Sequence, residues 1–115
     1  MTTDKLTELC MSFPGVTQGV KWEDHLCFMV GEKMFVITGF PDDSTVSIKA
    51  SDEDFEELCE RRDIIPAPYM ARNKWVQLQK RSAFKPKEWG HYLRQAYELI
   101  KAKLPKKVQR EIDGN

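Results

Sequence analysis

The sequence feature that most constrains the fold is a long amphipathic segment near the C-terminus, residues 86–104. Its apolar side chains recur at steps of three and four residues, the spacing that places them on one face of an α-helix. These side chains are Trp89, Leu93, Ala96, Tyr97, Ile100 and Leu104. Pro86 suits the first helical turn, and Pro105 either ends the helix or begins a short final turn through Ile112. Such a helix must pack its apolar face against a surface formed by the rest of the chain.

That surface is predicted to be an antiparallel β-sheet. Four β-prone segments precede residue 50, and turn-forming residues at 31–33 and 41–43 separate the later ones. The segments are residues 16–22, 26–30, 34–38 and 45–49. In the first segment, Val16, Val20 and Trp22 are expected to share one face. A fifth strand, residues 75–79, alternates apolar and polar side chains.

The remaining segments complete an α+β fold. Residues 4–13 have the helical period, and Ser51 with the acidic residues after it is typical of a second helix start. Two prolines keep residues 64–69 in an extended conformation. The predicted order is α-ββββ-α-β-α, with about five strands in one antiparallel sheet and helices packed on one face.

Length and composition predict one small domain, residues 1–115, with an apolar content of 41%. The longest apolar run, Leu26–Val30, is far shorter than the roughly 20 residues of a membrane helix, and no signal peptide is apparent. We therefore expect a soluble, cytoplasmic protein. The cysteines Cys10, Cys27 and Cys59 lack the spacing of a metal site, so they are interpreted as small buried side chains in a reducing compartment.

The sequence does not indicate a catalytic site or a cofactor. The two histidines, His25 and His91, belong to no recognised catalytic motif. His25 follows Glu23 and Asp24, whose carboxylates can orient an imidazole, but an exposed loop is the preferred interpretation. The acids of residues 52–60 are hard oxygen ligands for a metal ion, yet acids are also typical of a helix start. We expect a protein that is not an enzyme.

Several separated motifs resemble the bacterial YjbR/MmcQ family. The stretch from Phe13 to Phe35 is similar to the opening signature of that family, and three later motifs follow in the same order. They are Pro68-Tyr69-Met70, Trp75-Val76, and Ala96-Tyr97-Glu98-Leu99 leading to Lys103-Leu104-Pro105-Lys106-Lys107. The resemblance implies a fold like that of CyaY and frataxin, and DNA binding through two β wings and a basic surface. By analogy with frataxin it also suggests a weaker alternative, iron handling.

The distribution of charge agrees with a DNA-binding function. Residues 1–69 contain 6 basic and 14 acidic side chains, whereas residues 70–115 contain 12 basic and 4 acidic ones. Basic side chains flank the fifth strand at both ends, about 17 Å apart, so they are predicted to contact phosphates along one face of a duplex. Lys80 and Arg81 are both expected on the surface. The candidate DNA-binding residues are Lys33, Arg72, Asn73, Lys74, Lys80, Arg81, Lys85 and Lys87.

The alternative function is binding of a protein or a small ligand. Tyr69 and Met70 follow two prolines and are placed to form a shallow groove near Trp75. Trp22 and Trp75 also offer rings on which single-stranded bases stack, although a tryptophan on an alternating strand is more often part of the core. We expect DNA or a protein as the partner, no membrane association, and a monomeric chain.

Overall fold

The architecture is a six-stranded antiparallel sheet with helices packed on it. The computed structural model describes residues 1–114. In space the strands lie in the order β1-β2-β3-β4-β6-β5. The strands are β1 (Val16–Lys21), β2 (His25–Val30), β3 (Lys33–Gly39), β4 (Val46–Lys49), β5 (Ile64–Pro66) and β6 (Trp75–Leu78). The helices are α1 (Thr3–Met11), α2 (Asp52–Cys59), α3 (Pro86–Lys101) and α4 (Lys106–Ile112).

The helices begin where the sequence supplies capping groups. Ser51 Oγ accepts a hydrogen bond from the Asp54 amide at 3.1 Å, which satisfies a free backbone donor at the start of α2. At the start of α3, a Glu88 carboxylate oxygen accepts from the Lys85 amide at 2.9 Å. Hydrogen bonds from Arg61 and then from the Lys85 amide lower the pKa of Glu88 to about 2. Helix α3 is therefore anchored at its first turn to Arg61, in the turn that follows α2.

The main core lies between α3 and one face of the sheet. The predicted helical stripe is buried there: Trp89, Leu93, Ala96, Tyr97, Ile100 and Leu104. A bulge between Phe28 and Met29 shifts the pairing of β2 with β3, and both Phe35 and Val36 belong to the main core. The Phe35 ring meets the Tyr97 ring edge-on at 5.7 Å, and the Tyr97 hydroxyl donates to the Pro14 carbonyl at 2.5 Å. The α+β class predicted from the sequence is confirmed.

A second, smaller cluster lies on the sheet face that α3 does not cover, called here the open face. Cys27 pairs with Ile37 across β2 and β3, while their sequence neighbours Phe28 and Val36 belong to the main core. Because side chains alternate along a strand, this pair faces away from α3. The buried members of the cluster are Cys27, Ile37, Ala67 and Trp75.

Three details differ from the sequence prediction. Residues 64–66 form a sixth strand, β5, because they pair with β6 at the sheet edge, where Pro66 is tolerated. Only Val16 of the predicted face of the first strand is buried. Val20 is 56% exposed on the edge strand β1, and Trp22 is 63% exposed because it follows β1 in a turn. The final segment through Ile112 is a helix, α4.

Candidate binding site

The open face contains a broad groove with a cavity volume of about 1110 Å³. Its floor is formed by sheet side chains, among them Ile37, Ser47 and Gln77. Three connections rise around this floor: the β1–β2 turn, the β3–β4 connection, and the loop after β5. The register of β2 and β3 pairs His25 with Gly39, which brings the first two connections side by side at one end of the sheet.

Three large aromatic side chains stand exposed on the walls of this groove. Trp22 is 63% exposed, Phe40 is 49% exposed, and Tyr69 is fully exposed. These three rings do not pack on one another; the Trp22 ring instead meets the His25 ring edge-on at 5.8 Å. A cluster of exposed aromatic side chains is characteristic of a binding site. Large rings contribute the most binding free energy when a partner removes their surface from water.

Two of the aromatic residues hold an unusual backbone conformation. Trp22 has φ 53° and Tyr69 has φ 67°, in the left-handed region that bulky side chains rarely adopt. The Met70 amide donates to the Ala67 carbonyl at 3.1 Å, which closes a turn in which Pro68 precedes Tyr69. Such turns favour glycine at the position of Tyr69. Each such conformation costs on the order of 1–3 kcal/mol, and this kind of strain concentrates at functional sites.

The ionisable groups in the groove walls form a single pair. His25 Nδ1 lies 2.8 Å from Asp24 Oδ1, and both side chains are substantially exposed. On the floor, Gln77 Nε2 donates to Ser47 Oγ at 3.4 Å, which adds neutral hydrogen-bonding groups to an otherwise apolar surface. The groove therefore offers large apolar contacts and a few polar ones.

A buried arginine supports the wall that carries Phe40. Arg81 is only 7% exposed, and its guanidinium donates five hydrogen bonds. Two go to carbonyls of the β3–β4 connection: Nε to Ser44 at 3.0 Å and Nη2 to Pro41 at 3.2 Å. Nη2 also donates to Thr38 Oγ1 at 3.0 Å. Arg81 thus holds three groove-lining residues in place.

The same guanidinium joins this wall to the N-terminal helix. Its Nη1 donates to Thr3 Oγ1 at 2.9 Å and to the Met1 carbonyl at 3.3 Å. Burial lowers the pKa of the Arg81 guanidinium, and the negative charges of Asp42 and Asp43 oppose that shift. The prediction that Arg81 lies on the surface as a phosphate contact is wrong. All its nitrogens face oxygen acceptors inside the protein.

The other predicted DNA-binding residues are divided between two ends of the sheet. Because β6 runs between them, the 72–74 turn lies at one end and residues 80–87 lie at the other. Lys33, Arg72, Asn73, Lys80, Lys85 and Lys87 are exposed. Lys74 is half-buried, with its ammonium group 5.0 Å from the centre of the Phe55 ring. The structure does not bring the eight residues together as one patch.

The groove predicted near Tyr69 and Trp75 exists, but the two side chains differ in their roles. Tyr69 lines the groove, whereas Trp75 is 5% exposed and packs in the second cluster. Sequence reasoning missed Phe40 altogether. Its signal was available: Phe40 directly precedes the predicted turn Pro41-Asp42-Asp43, where a core aromatic does not fit.

Neither a metal site nor a membrane-spanning helix is found in the part of the chain that the structure describes. Residues 1–114 contain no group of three or more His, Cys, Asp or Glu side chains placed to hold a metal ion. Across the same residues, no helix combines the length and the apolar character needed to span a membrane.

We expect replacement of Arg81 by Lys to lower the free energy of unfolding by about 2–4 kcal/mol. Lysine cannot reach all five acceptors, and each buried acceptor left without a donor costs about 1–3 kcal/mol. Urea denaturation measures the change. Lys80→Ala, at the exposed neighbouring position, is the control and should shift stability by less than about 0.5 kcal/mol. Equal stability of the two variants would contradict a supporting role for Arg81.

Comparison with known proteins places the chain in a family. The YjbR family model matches residues 11–99. The crystal structure of the Deinococcus radiodurans protein DR2400, which carries a DUF419 domain, is 26% identical, with a TM-score of 0.87 over 97% of this chain and 88% of that one. A Pseudomonas syringae protein at 15% identity has the same fold, with a TM-score of 0.70 over 87% of this chain and 99% of its own. No curated protein matches the sequence. The chain belongs to the YjbR family.

Proposed function

We propose that this protein is a non-enzymatic binding module that holds an extended peptide segment of a partner protein in the open-face groove. The observation that carries the proposal is the set of three exposed aromatic side chains around that groove, Trp22, Phe40 and Tyr69. Two of them are held in left-handed backbone conformations, which keep the rings out of the core at an energetic cost. A ligand that covers the rings offsets that cost.

The size and shape of the groove favour a peptide over a compact small molecule. Pockets for small ligands enclose about 300–1,000 Å³ and bury most of the ligand surface. The volume here is about 1110 Å³, and the groove lies open along the sheet. On the floor, the apolar Ile37 lies across from the neutral Ser47, which in turn pairs with Gln77. An extended chain with alternating side chains fits such a surface.

The chemistry of the groove favours binding over catalysis. Its ionisable pair, Asp24 and His25, lies at the exposed rim, where water screens both groups. Catalysis by such a pair needs a desolvated site that matches the pKa of the base to its task. The Asp24 side chain is 80% exposed and the His25 side chain 48% exposed, so neither is enclosed, whereas peptide binding requires no such enclosure.

Selection from a random peptide library displayed on phage, with the full chain immobilised, tests this function. Enriched peptides should bind with micromolar Kd. Trp22→Ala and Tyr69→Ala should each weaken binding at least tenfold, because each removes a large buried contact. Met11→Ala is the matched control, since Met11 is an exposed apolar residue outside the groove. Failure to enrich any peptide, or affinities unchanged by both aromatic substitutions, would overturn the proposal.

A second candidate function is binding to nucleic-acid phosphates, favoured by one observation. Two lysines from separate segments, Lys74 and Lys103, each lie close enough to Lys49 for their positive charges to act on it. Burial lowers the pKa of Lys49, the positive charges of Lys103 and Lys74 lower it further, and Asp52 opposes them. Lys49 also donates to the Asn73 carbonyl, beside the exposed Arg72. A polyanion would relieve the mutual repulsion of these cations.

Binding to mixed-sequence duplex DNA at several salt concentrations tests this candidate. Three phosphate contacts would give a slope of log affinity against log salt of about −2.7. Reversal of Arg72 and Lys103 to Glu should weaken binding to all sequences alike and flatten the slope. The exposed Lys5 on α1, reversed to Glu, is the control. Absence of binding at about 50 mM salt, or binding unaffected by the double reversal, removes this candidate.

A further inference from the structure

The mouth of the groove, defined here as the two turns at the end of the sheet where His25 pairs with Gly39, adds acidic side chains that the proposed function does not use. The turns at this end of the sheet have the same composition, an exposed aromatic residue followed within three positions by two acids. One turn contains Trp22-Glu23-Asp24, and the other contains Phe40-Pro41-Asp42-Asp43. The pairing of His25 with Gly39 places these turns on neighbouring strands. All four carboxylates are exposed.

The net charge at this mouth is negative. The strand ends and turns that frame it, residues 21–25 and 39–46, contain four carboxylates and one cation, Lys21. Arg81 contributes a second positive charge, because its guanidinium donates to carbonyls of the β3–β4 connection. The negative charges of Asp42 and Asp43 stabilise the charged form of this guanidinium. Among these six side chains, two negative charges remain on the turns that carry the two exposed aromatic rings.

From this charge and these rings we infer that the mouth binds a cationic side chain of the peptide, an arginine in particular. The inference rests on the proposed function, because it specifies the class of peptide that the groove accepts. A guanidinium group stacks on an aromatic face and pairs with a carboxylate at its edge. Trp22 and Asp24, which both line the groove, offer that combination within one turn. The other turn adds the ring of Phe40 to the lining and carries Asp42 and Asp43 next to it in sequence.

The geometry of the Trp22 turn keeps this combination available. The Asp24 amide donates to the Trp22 carbonyl at 2.9 Å, which closes the turn tightly. The Asp24 carboxylate is 80% exposed, and its bond to His25 Nδ1 uses one oxygen. The second oxygen is therefore free to accept from an incoming guanidinium, since a carboxylate has acceptor sites on both oxygens.

NMR titration of the full chain with N-acetyl-arginine methylamide, and with its neutral citrulline counterpart, tests the inference. We expect the arginine compound to shift the backbone amides of Trp22, Asp24 and Phe40. It should bind about fivefold to thirtyfold more tightly than the citrulline compound, the combined effect of one cation–π contact and one partly exposed ion pair. Asp24→Asn should remove most of that preference. Glu53→Gln, at an exposed acid on α2, should leave it unchanged.

The possible results separate this inference from the function on which it rests. Equal binding of both compounds at Trp22 would overturn the preference for a cation while leaving the groove as a binding site. Binding of neither compound also overturns the inference, and the phage selection then judges the proposed function independently. A preference for arginine that survives in Asp24→Asn would show that the carboxylate has no part in it.

Discussion

A buried guanidinium imposes the constraint on which the candidate site depends. An arginine side chain keeps its charge in a protein, so burial is tolerated only where oxygen acceptors surround its nitrogens. Arg81 meets this requirement without a carboxylate in contact, through three backbone carbonyls and two threonine hydroxyls. Those acceptors belong to the N-terminus, the end of β3 and the β3–β4 connection. One side chain therefore joins segments that are 37 to 80 residues apart from it in sequence.

The position of the groove follows from the topology of the sheet. Helix α3 covers one face of the central strands β3 and β4, and the opposite face is filled only in part by the cluster around Trp75. Because the first strands form a meander, the β1–β2 and β3–β4 turns meet at the same end of the sheet. Trp22 and Phe40 are carried on these turns, and Tyr69 is carried on the loop after β5. The walls of the groove are thus connections on a rigid sheet, as is common for binding sites.

The parts of the fold that the sequence predicted well are those with a strong period. Helix α3 has 16 residues, and the apolar stripe along it is long enough to specify both the helix and the face that it buries. Strand β5 has three residues, too few for a period, so its pairing with β6 is set by tertiary structure. The sequence does not show that Trp22 is exposed and Trp75 buried. Trp22 follows strand β1 and Trp75 follows a turn, and the local pattern around each gives no measure of burial.

The candidate site was predicted less well, and Arg81 shows why. In the sequence it is one of several cations near Lys80 and Lys85, and nothing local separates it from them. Its burial results from acceptors far along the chain, such as Thr3 and Thr38. The opposite case is Tyr69, whose neighbours Pro68 and Met70 did indicate a turn and a groove. Its left-handed backbone was not foreseen, because glycine or asparagine is the usual residue at that turn position.

The central claim, that Arg81 holds the wall of the binding groove in place, is tested most directly by amide hydrogen exchange in Arg81→Lys. The informative amides are Ser44, which donates to the Pro41 carbonyl at 3.0 Å, and Thr3, which donates to Asp42 Oδ1 at 2.9 Å. Both should exchange faster in the variant by a larger factor than the amides of Leu93 and Tyr97 in the core of α3, because the wall opens locally. An equal increase at all four amides, or none at Ser44 and Thr3, would contradict the claim.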